Sequence, residues 1–305
     1  MKKIMLVFPG QGSQYVGMMK DILRQSYEAL ELVKEAEEIT GKPLRYVMEN
    51  GPEDKLNDTR FTQPAIFLHS YAVFKILNDH HHIKFHAVAG HSLGELTALC
   101  AADVYGFKDG IAIVNKRAEL MSKTKNGGMT AVIGLEKEKI DEILKNYMGE
   151  LVIANYNEPR QIVISGSTWA LDKAEERLKE AGARKVIRLN VSGAFHSKFM
   201  YEAQQEFAEF LNSFNFNDPI VPVIPNIEAR QVLFAERLKE DLIKQLTGPV
   251  RWVDTINYAV EKLKIDTFVE IGPKRVLSGL IKRIRKDVEV LNVDKWEDIE
   301  NFNLS

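Results

Sequence analysis

Ala87-Val88-Ala89-Gly90-His91-Ser92-Leu93-Gly94-Glu95 is the stretch on which the reading of this chain turns. A short apolar strand runs into a turn with glycine on both sides of a serine, and a helical stretch carrying Leu96, Leu99 and Cys100 follows at once. A strand-to-helix turn this tight lifts the serine to a strained, exposed apex, and glycines beside it let neighbouring backbone pass where a Cβ would clash. Ser92 is therefore the candidate nucleophile. The plainer alternative is a helix cap at Ser92 with glycines serving the turn.

On the N-terminal side, Ile4-Met5-Leu6-Val7-Phe8 reads as a buried first strand. The apolar run stops at Pro9-Gly10 with no small-residue cleavage site after it, so a signal peptide is not expected. The turn-rich Pro9-Gly10-Gln11-Gly12-Ser13-Gln14 leads to a helical pattern through Leu30, Val33 and Ala36 to Gly41, and a second helix is predicted from about Pro64 to Leu77. Strands alternating with helices argue for a mainly parallel sheet covered on both faces.

The middle of the chain has its own pattern. A strand over 129–134 precedes a helix marked by Ile140, Ile143, Leu144 and Tyr147. Apolar runs at 151–154 and 161–165 follow, with Asn155, Asn157 and Pro159 expected to make the turn between them. A helix with Leu171, Ala174 and Leu178 on one side and a strand over 185–189 complete a βαββαβ order, the ferredoxin-like unit. The expected organisation is a large subdomain formed by 1–126 and 191–305, with a small ferredoxin-like subdomain, 127–190, inserted into it. After the insertion, helices are expected near 201–211 and 235–246, a strand at 267–270 and a helix beyond Pro273. The polar stretch after Val293 is expected to fray.

Composition narrows the function classes. The 305 residues are 45% hydrophobic and 28% charged, and 41 basic against 43 acidic residues leave a formal charge of −2. No whole-chain field is available to hold nucleic acid or anionic lipid, so neither partner is expected. No run approaches the roughly 18 apolar residues of a spanning helix, so no membrane segment is expected. The single cysteine, Cys100, excludes an intrachain disulfide and a cysteine-cluster metal site, which fits a cytosolic protein.

A serine hydroxyl needs a base within hydrogen-bond reach. Of the seven histidines, His80, His81 and His82 read as a solvated loop, His69 as a core residue, and His91 as pointed away by the elbow. His196, in Ser192-Gly193-Ala194-Phe195-His196-Ser197, falls where the chain leaves the small subdomain, and a cleft between subdomains is the natural place for a base. A dinucleotide reading of Gly10-Gln11-Gly12 fails, because position 15 is Tyr15 rather than glycine.

Taken together, the motifs carry a family resemblance. Phe8-Pro9-Gly10-Gln11-Gly12-Ser13-Gln14, Thr62-Gln63-Pro64-Ala65, Gly90-His91-Ser92-Leu93-Gly94-Glu95, Lys116-Arg117-Ala118-Glu119-Leu120-Met121, Gly193-Ala194-Phe195-His196-Ser197 and Gln245-Leu246-Thr247-Gly248-Pro249-Val250 stand in the order and approximate spacing of the malonyl-CoA:acyl carrier protein transacylases. The resemblance covers nearly the whole chain. It implies an α/β-hydrolase-like large subdomain with a parallel sheet and the inserted ferredoxin-like small one. It implies Ser92 as nucleophile with His196 as general base, and backbone donors at Leu93 and Gln11 for the oxyanion. Arg117 would hold the free carboxylate of malonate by two parallel hydrogen bonds. The backbone carbonyl at Gln245 would orient the histidine, and Gln63, Met121, Asn155, Phe195 and Gln245 are the remaining substrate-binding candidates.

The implied reaction is ping-pong: malonyl passes from malonyl-CoA to Ser92 and then to the phosphopantetheine thiol of an acyl carrier protein. The implied protein is a monomer with no metal and no cofactor beyond the CoA thioester that is its substrate. Ala194-Phe195-His196 matches the malonyl-selecting form of related polyketide acyltransferases. With Pro159-Arg160-Gln161 and Asn226-Ile227-Glu228-Ala229-Arg230, it also resembles the free-standing acyltransferases that load polyketide synthases in trans, which is the expected pathway ahead of fatty-acid synthesis. A proofreading acyl hydrolase and a non-catalytic carrier-binding scaffold are the competing readings; Arg117 argues against the first and the intact residue set against the second. The basic run Lys282-Arg283-Ile284-Arg285-Lys286 is a candidate contact for an acidic carrier protein.

Overall fold

β1 (Ile4–Phe8) is buried at every position and lies between two parallel neighbours. In the computed structural model, which describes residues 2–125 and 127–304, β1 pairs with β2 (Ala87–Gly90) on one side and β7 (Thr267–Ile271) on the other. β8 (Glu289–Val293) extends β7, giving a four-stranded parallel sheet in the order β2-β1-β7-β8. Successive side chains of a strand point to opposite faces. Ile4, Leu6 and Phe8 accordingly enter one apolar core and Met5 and Val7 a second on the other face. Helices cover both faces, which is why these strands read as unbroken apolar runs.

The second sheet is antiparallel and takes β3 (Gly128–Ile133), β4 (Leu151–Glu158), β5 (Gln161–Gly166) and β6 (Lys185–Arg188) in the order β4-β5-β3-β6. With the helices Lys137–Leu144 and Thr168–Glu180 it forms the βαββαβ unit, and a third apolar cluster lies beneath those helices. The architecture is thus an α/β-hydrolase-like parallel sheet carrying a ferredoxin-like insertion. Residues 1, 126 and 305, which bound the expected subdomain limits, lie outside the described residues. β4 is tied to the segment leading into the helix Trp252–Glu261, where Tyr156 N–H donates to Val250 C=O at 2.9 Å and Val250 N–H to Ala154 C=O at 2.8 Å.

Four local expectations are corrected. β4 does not end at Ala154: it runs to Glu158, with Asn155 and Asn157 inside it and register shifts at Ile153/Asn155 and Tyr156/Glu158. Such bulges re-aim side chains, and here they leave both asparagines buried. The helix assigned from Pro64 instead spans Thr59–His81, because Asp58 caps it by accepting from Arg60 N–H at 2.9 Å, and Pro64 is carried within its second turn. The histidine run is exposed as expected but is not a loop: His80 and His81 end that helix, His82 caps it, and the rings of His80 and His81 meet Trp296 and Phe302 edge-on. The C-terminal stretch does not fray, since the helix Trp296–Glu300 is tied back by Trp296 N–H donating to Asp21 Oδ2 at 2.8 Å. Among the described residues no helix is long and apolar enough to cross a membrane.

Candidate active site

β2 ends at Gly90 and the next helix, Leu93–Ala101, begins three residues later, so the chain must reverse on His91 and Ser92. Ser92 bears the strain, with φ 51° and ψ −106°. The flanking glycines are required by space: a Cβ on Gly90 would fall within the backbone of Gly94, and one on Gly94 within that of Phe8. A Cβ on Gly10 would likewise strike the His91 carbonyl, so the loop after β1 packs directly on the elbow and brings Gln11 to it.

The Ser92 Oγ lies 2.9 Å from Nε2 of His196. His196 follows the small subdomain, is nearly fully buried, and anchors its own N–H on the Leu246 carbonyl at 3.1 Å. Its Nδ1 faces the carbonyl oxygens of Gln245 at 2.9 Å and Gly248 at 3.0 Å. Carbonyls only accept, so Nδ1 carries the proton and Nε2 offers a lone pair to the serine hydroxyl. Burial first, and the neighbouring Arg117 charge second, push the imidazole down to about 3, against the two carbonyl bonds that favour its charged form. At neutral pH it is an uncharged base.

Arg117, on the helix Phe107–Lys123, is only 1% exposed. Its partners are all neutral: Nη1 donates to Gln63 Oε1 at 2.6 Å, and Nη2 to Ser92 Oγ at 3.0 Å and Gln245 Oε1 at 2.9 Å. Its Nε–H is buried with no partner among the described residues. Burial lowers it to about 10, opposed by the field of Glu95, so the guanidinium is charged at neutral pH. A buried cation held by neutral groups with a donor to spare is prepared for an anion.

These side chains surround a cavity of about 180 Å³ between the two sheets. Gln11, Gln63, Ser92, Leu93, Arg117, Met121, Phe195 and His196 line it from the parallel-sheet side, and Asn155 faces them from β4. Gln63 continues a polar chain, its Nε2 donating to Thr59 Oγ1 at 2.9 Å and Thr59 in turn donating to Gln11 Oε1 at 3.1 Å. Leu93 N–H is the first of its helix and has no carbonyl within that helix to bond. Gln11 and Val191 also border a wider groove of about 580 Å³ with Arg60 and Lys125 at its side.

Gln245 is corrected as a substrate-binding candidate. It is fully buried behind the cavity, where its carbonyl meets His196, its Oε1 meets Arg117, and its Nε2 donates to Ser92 C=O at 3.1 Å. His91 is also nearer the site than expected: it makes no bond to Ser92, but its ring is on the cavity wall with Nε2 2.7 Å from Asn157 Oδ1. Sequence reasoning missed Asn157, together with Met129, Val163 and Leu189 on the small-subdomain wall. It also missed the buried Glu95 and Asn226. A charged residue on an otherwise apolar helix was the available signal for Glu95; Asn226 had none.

In the basic run, Lys282 is bound to the Val288 carbonyl and Arg285 to Asp287 and Glu261, while Lys282, Arg283 and Lys286 are all exposed. Among the described residues no group of three or more His, Cys, Asp or Glu side chains could hold a metal ion.

A strained serine bonded to a neutral histidine, in a cavity between a parallel-sheet and a ferredoxin-like subdomain, defines an enzyme of acyl transfer. The chain belongs to the acyl transferase domain family, which matches residues 5–297. It is 38% identical over 309 aligned positions to the malonyl CoA-acyl carrier protein transacylase of Staphylococcus aureus, covering 99% of each chain. It is 43% identical over 291 positions to the polyketide biosynthesis malonyl CoA-acyl carrier protein transacylase of Bacillus subtilis, covering 94% of this chain and 99% of that one. The crystal structure of the Synechocystis malonyl-CoA:ACP transacylase superposes with a TM-score of 0.92 at 38% identity, over 98% of this chain and all of that one.

Proposed function

We propose that this acyltransferase moves malonyl from malonyl-CoA to the phosphopantetheine thiol of an acyl carrier protein through an ester on Ser92. In the first half-reaction His196 Nε2 takes the hydroxyl proton as Ser92 Oγ adds to the thioester carbonyl. The oxyanion is met by the N–H groups of Leu93 and Gln11. The C–S bond then breaks, and the imidazolium returns its proton to the departing CoA thiolate. The second half-reaction runs the same steps in reverse with the carrier thiol. The wide groove beside Gln11 would take the pantetheine arm common to both thiols.

The observation that carries the acyl choice is the burial of Arg117 against Ser92 Oγ with neutral partners only. A malonyl carboxylate supplies the missing anion, and an acetyl group does not. The hydrolase reading has no use for that cation. Intact-protein mass spectrometry after mixing with malonyl-CoA or acetyl-CoA tests the proposal: a persistent malonyl adduct, absent in Ser92→Ala, is expected. CoA release without a lasting adduct would favour the hydrolase.

The pathway expected from the sequence is revised: the comparisons support malonyl loading for fatty-acid synthesis better than loading of a polyketide synthase in trans. Of the stretches that suggested the polyketide role, Arg160 sits exposed in the β4–β5 turn donating to Gly134 C=O, and Arg230 pairs with Glu228 on the surface. Neither reaches the acyl cavity. Ala194-Phe195-His196 bears on malonyl choice, which both pathways share.

A further inference from the structure

Ser92 N–H does not enter its own helix; it donates to Oδ1 of Asn226 at 2.7 Å. The same carboxamide donates through Nδ2 to the Gly90 carbonyl at 2.6 Å. One side chain therefore spans the residue before and the residue at the reversal, and both peptide groups it holds belong to the strained segment. Asn226 is 1% exposed, so water cannot take over either bond. Its own backbone is fixed in turn: Asn226 N–H donates to Glu95 Oε2 at 2.6 Å, and its carbonyl accepts from Arg251 N–H at 3.1 Å. Glu95 is fully buried in the first turn of the helix that Ser92 opens. The path from Ser92 through Asn226 to Glu95 and back along the helix is closed.

We infer that Asn226, held by Glu95, is a positioning residue that fixes the strained conformation in which Ser92 attacks. Strain of order 1–3 kcal/mol at a non-glycine residue persists only where surrounding bonds over-determine it. A carboxamide suits the task because it accepts and donates in one plane, whereas a carboxylate only accepts and a hydroxyl is too short to bridge. Neither residue faces the acyl cavity, so the clamp acts on the attacking oxygen and not on the acyl group. The inference deepens the proposed acyl transfer but needs only that Ser92 is the nucleophile.

The test uses two readouts on the full chain: labelling of Ser92 by a fluorophosphonate, in which the serine oxygen displaces fluoride from phosphorus, and malonyl-enzyme formation. Misplacement by a fraction of an ångström to 1 Å costs up to about 100-fold. Asn226→Ala is expected to slow both readouts by about 10- to 100-fold while the malonyl to acetyl ratio stays within about twofold of wild type. Glu95→Ala is expected to slow labelling, Glu95→Gln to restore it, and the Asn226→Ala/Glu95→Ala double variant to be no slower than Asn226→Ala, because the two act as one unit. Labelling by Asn226→Ala within twofold of wild type, or additive losses in the double variant, would overturn the inference. A variant that loses selectivity in step with rate would show general unfolding of the site and would also overturn it. Failure of wild type to form a malonyl adduct while labelling normally would strike the proposed function alone.

Discussion

The Arg117 guanidinium donates to the hydroxyl oxygen of Ser92 at 3.0 Å, so the group proposed to select the acyl chain and the proposed nucleophile are in contact before substrate arrives. Under the proposed assignment a malonyl carboxylate would draw the guanidinium toward itself and leave the serine oxygen to His196. An acetyl group would offer no such exchange, and the bond to Oγ would persist and compete with attack. Selectivity is therefore expected in the rate of ester formation as well as in binding.

Arg117→Ala should lower malonyl-enzyme formation by about 30-fold or more, since removing one member of a buried charge pair costs about 2–5 kcal/mol. The acetyl adduct should fall far less or rise. Arg117→Lys should recover only part of the malonyl rate, because an ammonium lacks the planar fork. Intact mass spectra at matched times with the two donors measure the ratio; an unchanged malonyl to acetyl ratio in Arg117→Ala would refute the assignment.

Phe195 is buried on the wall of a cavity of about 180 Å³, which leaves little room for a branch at the malonyl α-carbon. Phe195→Ser should raise methylmalonyl relative to malonyl loading by about 10-fold, within the range one methyl group commands in a fitted pocket. Competition between the two CoA esters, read by adduct mass, checks it.

Two buried groups shift stability with pH in opposite senses. His196, pushed down to about 3 by burial and Arg117, leaves the unfolded chain holding an extra proton between about pH 6.5 and 3. Its contribution to stability is thus lost as pH falls through that window. Glu95, pushed up to about 7 by burial although the bond from Asn226 N–H works the other way, makes the folded chain hold the extra proton between 4.5 and about 7, and its contribution is lost as pH rises. Melting temperatures of wild type and Glu95→Gln from pH 4.5 to 8 should diverge in favour of the variant as pH rises. In Glu95→Gln the rate of Ser92 ester formation should show no inflection near pH 6.5, where an ordinary histidine titrates.

Glycines of the same type carry opposite expectations. Gly94→Ala places a Cβ within the Phe8 backbone and should abolish folding or the adduct. Gly279→Ala, in the helix Val276–Ile284 with open space around its Cβ position, should stabilise by about 0.5–1 kcal/mol and leave ester formation unchanged. Thermal melts and adduct mass for both separate the cases; destabilisation by Gly279→Ala would contradict the packing described.

The amino-acid sequence determined whatever depends on local spacing. Apolar runs beside helical periodicity defined the parallel sheet, the βαββαβ order defined the insertion, and the glycines around Ser92 defined the elbow, because each is enforced by backbone geometry within a few residues. Ser92, His196 and Arg117 were legible through motifs whose order matched a family. Tertiary structure alone decided how they converge. Residues 25 and 104 positions apart meet on one oxygen atom, and Asn226 reaches the elbow from 134 positions away. Such bonds leave no periodic trace in the chain. Asn155 and Asn157 looked like turn residues because asparagine favours turns, and only Asn155 was a binding candidate, through the family resemblance; bulges in β4, visible only in its pairing with β5, bring both to the cavity. Gln245 showed its three contacts only once the helix Ala235–Lys244 was docked behind the nucleophile, since what a buried polar side chain bonds is fixed by the partners packing brings to it.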